Sequence, residues 1–289
     1  MFLQKLAAKP AHVAHMTVRR VLPQRVRRML GPFCFLDHFG PNRSLSSATA
    51  GVASHPHIGL ATVTYLFEGA MLHKDSLGTV QRIEPGAINW MTAGSGIVHA
   101  ERLPSDTWGQ EVQSHGLQLW VALAAEHEEC APSFQHAPRE SLPIVDAPGL
   151  RARVLVGSFA GQTSPVVVSS ETLYVVAELD DNAILEIPAA GTGRERGVYV
   201  VSGGVQLGDD VLVAQELGVL GPEPCALRAR EPSVVALLGG AAFAEPRFMS
   251  WNFVSSRKER LARAEEAWRK GDFPGIEGEH ERIAMPGRD

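Results

Sequence analysis

The stretch ATVTYLFEG, residues 61 to 69, decides the fold class. Its β-branched and aromatic residues suit a pleated, half-buried strand, and Glu68-Gly69 closes it as a turn does. The segments around it repeat that form from Thr17 to about Ala124: HMTVRRVLP and GPFCFLDHFGP before it, DSLGTVQRIEPGAINWM, GIVHAERL and HGLQLWVAL after it. Short β-segments at close, regular spacing predict a sandwich or barrel. A second series with the same rhythm (ARVLVGSFAG, ETLYVVAELD, NAILEIPA, GVYVVSGGVQL, DVLVAQELGVL, SVVALLGGAAF) predicts a duplicated barrel, so the expected class is all-β.

Between the two series, residues 125–149 are polar and interrupted by Pro132, Pro138, Pro143 and Pro148, which predicts a linker. After them the character changes. Ser255 and Ser256 precede RKERLARAEEAWRKG, where Leu261, Ala264, Ala267 and Trp268 fall at helical spacing and Gly271 stands at the stop. One amphipathic helix follows from this, then a tail with few apolar anchors that drapes over the body or frays. The expected division is 1–124 for the first barrel, 125–149 for the linker, 150–250 for the second barrel and 251–289 for the helix and tail.

A chain of 289 residues with 45% apolar and 20% charged content buries a full core and suits two units better than one. Its net charge of -5 supplies no basic field, so direct nucleic-acid binding is not expected. Cys34, Cys130 and Cys225 are odd in number and far apart, which argues against a disulfide framework or a CxxC zinc site and fits a reducing cytoplasm. No secretory h-region and no run of about 18 apolar residues is present, so a cytoplasmic protein without a membrane span is expected.

Ten of the eleven histidines lie at or before His136, and the other, His280, is in the tail. Only the first barrel can therefore offer an imidazole metal site. Two pairs stand out there, His55-Pro56-His57 and His99-Ala100-Glu101, both spaced i, i+2. Alternate residues of a strand point to one face, so each pair projects two ligand groups into one space. A lone HxH is more often a surface accident or two hydrogen-bonded histidines than a site. HxH and HxE in one barrel, each beside strand and glycine signals, point instead to one divalent metal held by His55, His57, His99 and Glu101. Three imidazoles and a carboxylate without a thiolate suit Fe(II), Mn, Ni, Cu or Zn. Four protein ligands on a six-coordinate iron leave two positions, for dioxygen and one substrate oxygen or for a bidentate substrate, the arrangement oxygenase chemistry needs.

GPFCFLDHFGP (31–41), HPHIGLATVTYLFEGAMLHKDSLG (55–78), WMTAGSGIVHAE (90–101) and HGLQLWVAL (115–123) resemble the pirin family, and the second half resembles bacterial pirin-like proteins. The resemblance implies a bicupin: two antiparallel jelly-roll β-barrels, with the C-terminal segment packing back on the first. It further implies one metal, Fe(II) above the others, at the positions of His55, His57, His99 and Glu101, and quercetin 2,3-dioxygenase activity on a flavonol-like aromatic substrate with dioxygen. Glu101 would then be both ligand and the base that takes the substrate's hydroxyl proton. The alternative that the family also implies is a redox-sensing metal protein that binds a protein partner without turnover. A third reading is a bicupin that its metal merely stabilises. Many pirins carry Arg and Glu where this chain has Ile58 and Ala61, so charge that would tune the metal is missing.

Other residues carry weaker expectations. His73 belongs to its turn or to the pocket rim, and Asp75 and Ser76 shape the DSLG hairpin. Asp37 and His38 are structural or stand at the cavity mouth. His115 is either near the ligands or buried and satisfied. Gln118 and Trp120 alternate with Leu117, Leu119 and Val121, and one of these sets lines the barrel. Phe35, Phe39 and Met91 are core candidates that would also wall a flat aromatic substrate, and Cys34 is expected to be inert packing.

Overall fold

The computed structural model describes residues 1–14 and 16–287. Strands dominate, and the chain divides into two compact units. One comprises residues 12–18, 39–139 and those from Ala244 onward; the other comprises Met1–Ala11, Arg19–His38 and Glu140–Phe243.

In the first unit a four-stranded antiparallel sheet runs in the order Gly51–His57, Ile97–Arg102, Met71–Asp75, Val80–Ile83. The strands Ser133–Ala137, Ile88–Thr92, Leu60–Glu68 and Glu111–Ala122 are neighbours in that order within a seven-stranded sheet. The stretch that opened the sequence reading forms an interior strand of this second sheet, and Leu60 through Leu66 are all buried. Gly59 makes the step from Gly51–His57 into that strand. It sits at φ +66, and a Cβ there would lie 2.0 Å from the Val254 carbonyl oxygen, so no other residue fits the turn.

The second unit repeats the two-sheet form. Its larger sheet runs Gln4–Ala7, Glu216–Val219, Arg194–Ser202, Ser233–Ala241, Thr172–Leu179, Leu150–Val156, Ile144–Ala147, and its smaller one Ile184–Ile187, Cys225–Ala229, Gly204–Leu207, Asp210–Val213. Val154, Val175, Val198, Val200, Leu212, Leu227 and Leu237 fill the interior. Two antiparallel barrels and one C-terminal helix are the architecture expected from sequence.

The boundaries differ from those drawn on sequence in two respects. The first segments of the chain belong mostly to the C-terminal unit: Gln4–Ala7 pairs antiparallel with Glu216–Val219, and Phe2 joins the Val and Leu cluster. A strand partner some two hundred residues away leaves no local signature. The stretch 125–149 is also not a plain linker. Ser133–Ala137 pairs with Ile88–Thr92, and Ile144–Ala147 pairs with Leu150–Val156. Its prolines stand immediately outside these two edge strands, where a missing N–H breaks no ladder bond.

The helix forms over Lys258–Lys270 and buries Leu261, Ala264, Glu265 and Trp268; Gly271 caps it at φ 83. Leu261, Ala264 and Trp268 pack on Ile58, Val98 and Phe253, which places the helix against the ligand-bearing sheet. The tail drapes rather than frays: Ser54 forms a parallel bridge with Arg282. Among the described residues no helix is long and apolar enough to cross a membrane.

Gly59→Ala meets both positive φ and the Val254 oxygen, whereas Gly78→Ala, at φ +86, meets open space. The first should cost at least about 2 kcal/mol and the second about 1 kcal/mol, read from urea midpoints of the two variants. Equal losses would show that the close approach at Gly59 is not the constraint.

Candidate metal centre

The strands Gly51–His57 and Ile97–Arg102 are antiparallel neighbours, with His99 opposite His55 and Ile97 opposite His57. Beyond His99 the register slips, and the ladder resumes with Glu101 opposite Val52. Ala53 and Ser54 thus stand opposite Ala100 alone, a β-bulge immediately before His55. A Cβ on Gly51 would lie 2.1 Å from the Glu101 carbonyl oxygen, so the strand beyond the bulge also needs glycine.

The three histidines meet. Their rings lie 4.3 to 5.0 Å apart. Their ligand nitrogens all lie within 4.8 Å of one another, and among the described residues this is the one group of three or more potential ligands. His55 Nδ1–H donates to the Ala53 carbonyl at 2.8 Å and His57 Nδ1–H to the Asn252 carbonyl at 3.0 Å. Both rings therefore present a bare Nε2 lone pair. His99 Nε2 lies 3.1 Å from His57 Nε2, and His99 Nδ1 is buried with no hydrogen-bond partner. Two bare nitrogens hold such a separation only with a proton or a cation between them. Metal–imidazole bonds of about 2.1 Å at roughly a right angle place two nitrogens about 3 Å apart, so the pair fits one ion.

Burial keeps these rings neutral. Removal from water pushes His55 down to about 4, and it pushes His57 and His99 well below the usual imidazole range, with neighbouring histidines adding to the effect. A neutral imidazole is the ligand form, so the site is prepared for a metal at neutral pH.

Glu101 stands outside the three-histidine group. It is buried, which raises its pKa, and the nearby His73 and hydrogen bonds from Thr64 and Gln118 oppose that rise. Thr64 Oγ1 lies 3.3 Å from Glu101 Oε1 and 2.9 Å from Gln118 Oε1. Gln118 and Trp120 are thus the set that faces the site, with the Trp120 ring 5.1 Å from His57.

His73 serves both its turn and the rim. Its Nε2 lies 3.0 Å from Asp75 Oδ2, and its ring is 5.3 Å from His99. Asp75 Oδ1 accepts the amides of Leu77 and Thr79, as the hairpin reading required. Burial raises the Asp75 pKa, but its bonds to His73 and Thr79 leave it below the usual carboxylate value. Phe134, inside the supposed linker, stacks on His73 at 4.4 Å and 23°. Strand register was the missing signal, since Glu101 pairs with His73 and His99 with Asp75.

Asp37 and His38 belong to the other unit: Arg20 grips the Asp37 carboxylate with two bonds of 2.8 and 2.7 Å, and His38 Nδ1 lies 2.8 Å from the Tyr199 hydroxyl. The His115 ring lies 4.8 Å from Phe67. Cys34, Phe35, Phe39 and Met91 are all buried. Ile58 and Ala61 are buried as well, so apolar packing stands where the resemblance would place charge.

Comparison with known proteins agrees with this geometry. The family model described as Pirin matches residues 15–121, and the one described as Pirin C-terminal cupin domain matches residues 174–274. A pirin-like protein of Caulobacter vibrioides is 42% identical over 290 residues, covering 96% of this chain and 97% of its own. Rat pirin is 34% identical over 255 residues, covering 86% of this chain and 84% of its own. The crystal structure of a quercetin 2,3-dioxygenase from Acinetobacter baumannii superposes with a TM-score of 0.91 at 35% identity, covering 100% of this chain and 96% of that one. With its two cupin barrels and its histidine cluster in the first of them, the chain belongs to the pirin family.

Proposed function

We propose that this pirin is a metal-dependent dioxygenase of the quercetin 2,3-dioxygenase type, acting on a flavonol-like aromatic with dioxygen. The observation that carries the reading is the convergence of three buried, neutral imidazoles, two of them held by backbone carbonyls so that Nε2 faces the common point. Likeness to the Acinetobacter enzyme supports the reaction class. His55, His57, His99 and Glu101 would hold one divalent ion, Fe(II) by preference and Mn, Ni, Cu or Zn as the ligand set allows. Cys34, Cys130 and Cys225 form no disulfide, which suits a reducing cytoplasm.

The ion, when bound, supplies the Lewis-acid and one-electron chemistry that lets dioxygen react with a closed-shell substrate. The chain's own residues do the rest. The Nδ1–H bonds of His55 and His57 to backbone carbonyls fix ring orientation and keep the lone pairs inward. Glu101, made more basic by burial, takes the proton of the substrate hydroxyl onto a carboxylate oxygen. Thr64 and Gln118 hold that carboxylate in place. Trp120 and Phe134 give the flat apolar surfaces that an aromatic ring needs and that exclude water.

Purified protein should carry one metal per chain by elemental analysis and consume oxygen with quercetin; His57→Ala should abolish both. Glu101→Ala should lower kcat by about 100-fold or more in an oxygen electrode. Undiminished uptake would remove Glu101 from the reaction.

Acid should weaken the chelator-treated protein. His55 binds its proton near pH 4 when folded and near 6.5 when unfolded, so the unfolded state binds more protons between these values. Stability present above about pH 6.5 is lost as pH falls toward 4, by roughly 3 kcal/mol from His55 alone. Urea midpoints from pH 7.5 to 4.5 measure this, and a flat profile would show the rings to be already charged or exposed.

A further inference from the structure

The bulge at Ala53-Ser54 takes one backbone unit out of the ladder beside a candidate ligand, and a buried amide must find a partner elsewhere. Ser54 finds it in the C-terminal tail. Its N–H donates to the Glu281 carbonyl at 3.2 Å, and its own carbonyl accepts the Ile283 N–H at 2.9 Å. The Ser54 hydroxyl donates to the same Glu281 oxygen. The tail is held from its other side by the helix: Trp268 Nε1–H donates to the Ile283 carbonyl at 3.1 Å, and the Arg282 guanidinium stands 3.5 Å over the Trp268 ring.

The same segment reaches the second ligand strand. Arg102, the residue after Glu101, is 5% exposed. Its Nε donates to Glu279 at 3.1 Å and its terminal nitrogens to Glu279, to Glu281 Oε2 at 2.8 Å and to the Thr49 carbonyl at 2.8 Å. The Glu279 side chain is 8% exposed, so this pairing lies out of water, where charge-assisted bonds hold geometry most firmly. The tail thus grips the residue before His55, at the bulge in the middle of the ligand-bearing ladder, and the residue after Glu101, at the end where Arg102 pairs with Gly51.

We propose that residues 279–283 are a positioning strap for the metal site, with Glu279, Glu281, Ser54 and Arg102 as positioning residues. They set the bulge that aims His55 and fix the strand that carries His99 and Glu101, without touching the metal. The inference rests on the metal reading above, and it assigns to the tail a share of metal affinity and ligand geometry.

The test uses full-length protein and Co(II), titrated by its visible absorption, which reports coordination geometry. Glu279→Gln/Glu281→Gln should weaken Co(II) binding about tenfold or more and shift the cobalt bands, with circular dichroism unchanged. Glu281→Gln alone, at a side chain that is 51% exposed and so tolerant of change, should show a smaller loss in the same direction and decides the matter if the double variant does not fold. Wild-type affinity and unshifted bands in a folded strap variant would overturn the strap, provided that His57→Ala abolishes binding. A wild-type protein that binds no Co(II) would overturn the metal reading itself.

Discussion

The antiparallel pairing of Gly51–His57 with Ile97–Arg102 is the constraint on which the site depends. It sets His55 across from His99, and the alternation along each strand brings His57 to the same point. Once there, the rings are taken out of water and stay neutral, and backbone carbonyls decide which nitrogen keeps its lone pair. Tautomer, charge and direction thus follow from two strands in one register and from the burial their neighbours impose.

The two units show how little of this is due to architecture alone. Both are double-sheet barrels with similar strand orders, yet one interior gathers imidazoles and the other is filled by valine and leucine. An ion needs donors and room, and branched aliphatic packing supplies neither. The distribution of histidine along the chain carries that contrast, which is why it was visible before any coordinates.

Much of the site was legible because it is written in local periodicity. HxH and HxE place side chains on one face of a strand whatever the rest of the chain does, and Gly271 after an amphipathic run stops a helix wherever it occurs. The unseen parts depend on partners remote in sequence. Nothing near Gln4 shows that it will pair with Val219, and nothing near Arg102 points to Glu279. The prolines of 125–149 signalled breaks correctly but hid the short edge strand between Pro132 and Pro138, and with it Phe134. The HxE spacing groups Glu101 with the histidines but gives no sign of Thr64 and Gln118, which the structure sets beside its carboxylate.

The draped tail also bears on when the site can exist. During synthesis His55, His57, His99 and Glu101 all leave the ribosome early, with nearly two hundred residues still to come before the strand that meets Ser54. Through that interval the ligand sheet lacks the partner of its bulge and the counter-charges of Arg102, and the N-terminal strand waits equally for Glu216–Val219. Both units draw on segments far apart in sequence, so folding is dominated by contacts of long sequence separation and is correspondingly slow. The contacts that surround the histidine cluster are therefore complete only once residues 279–283 have been made.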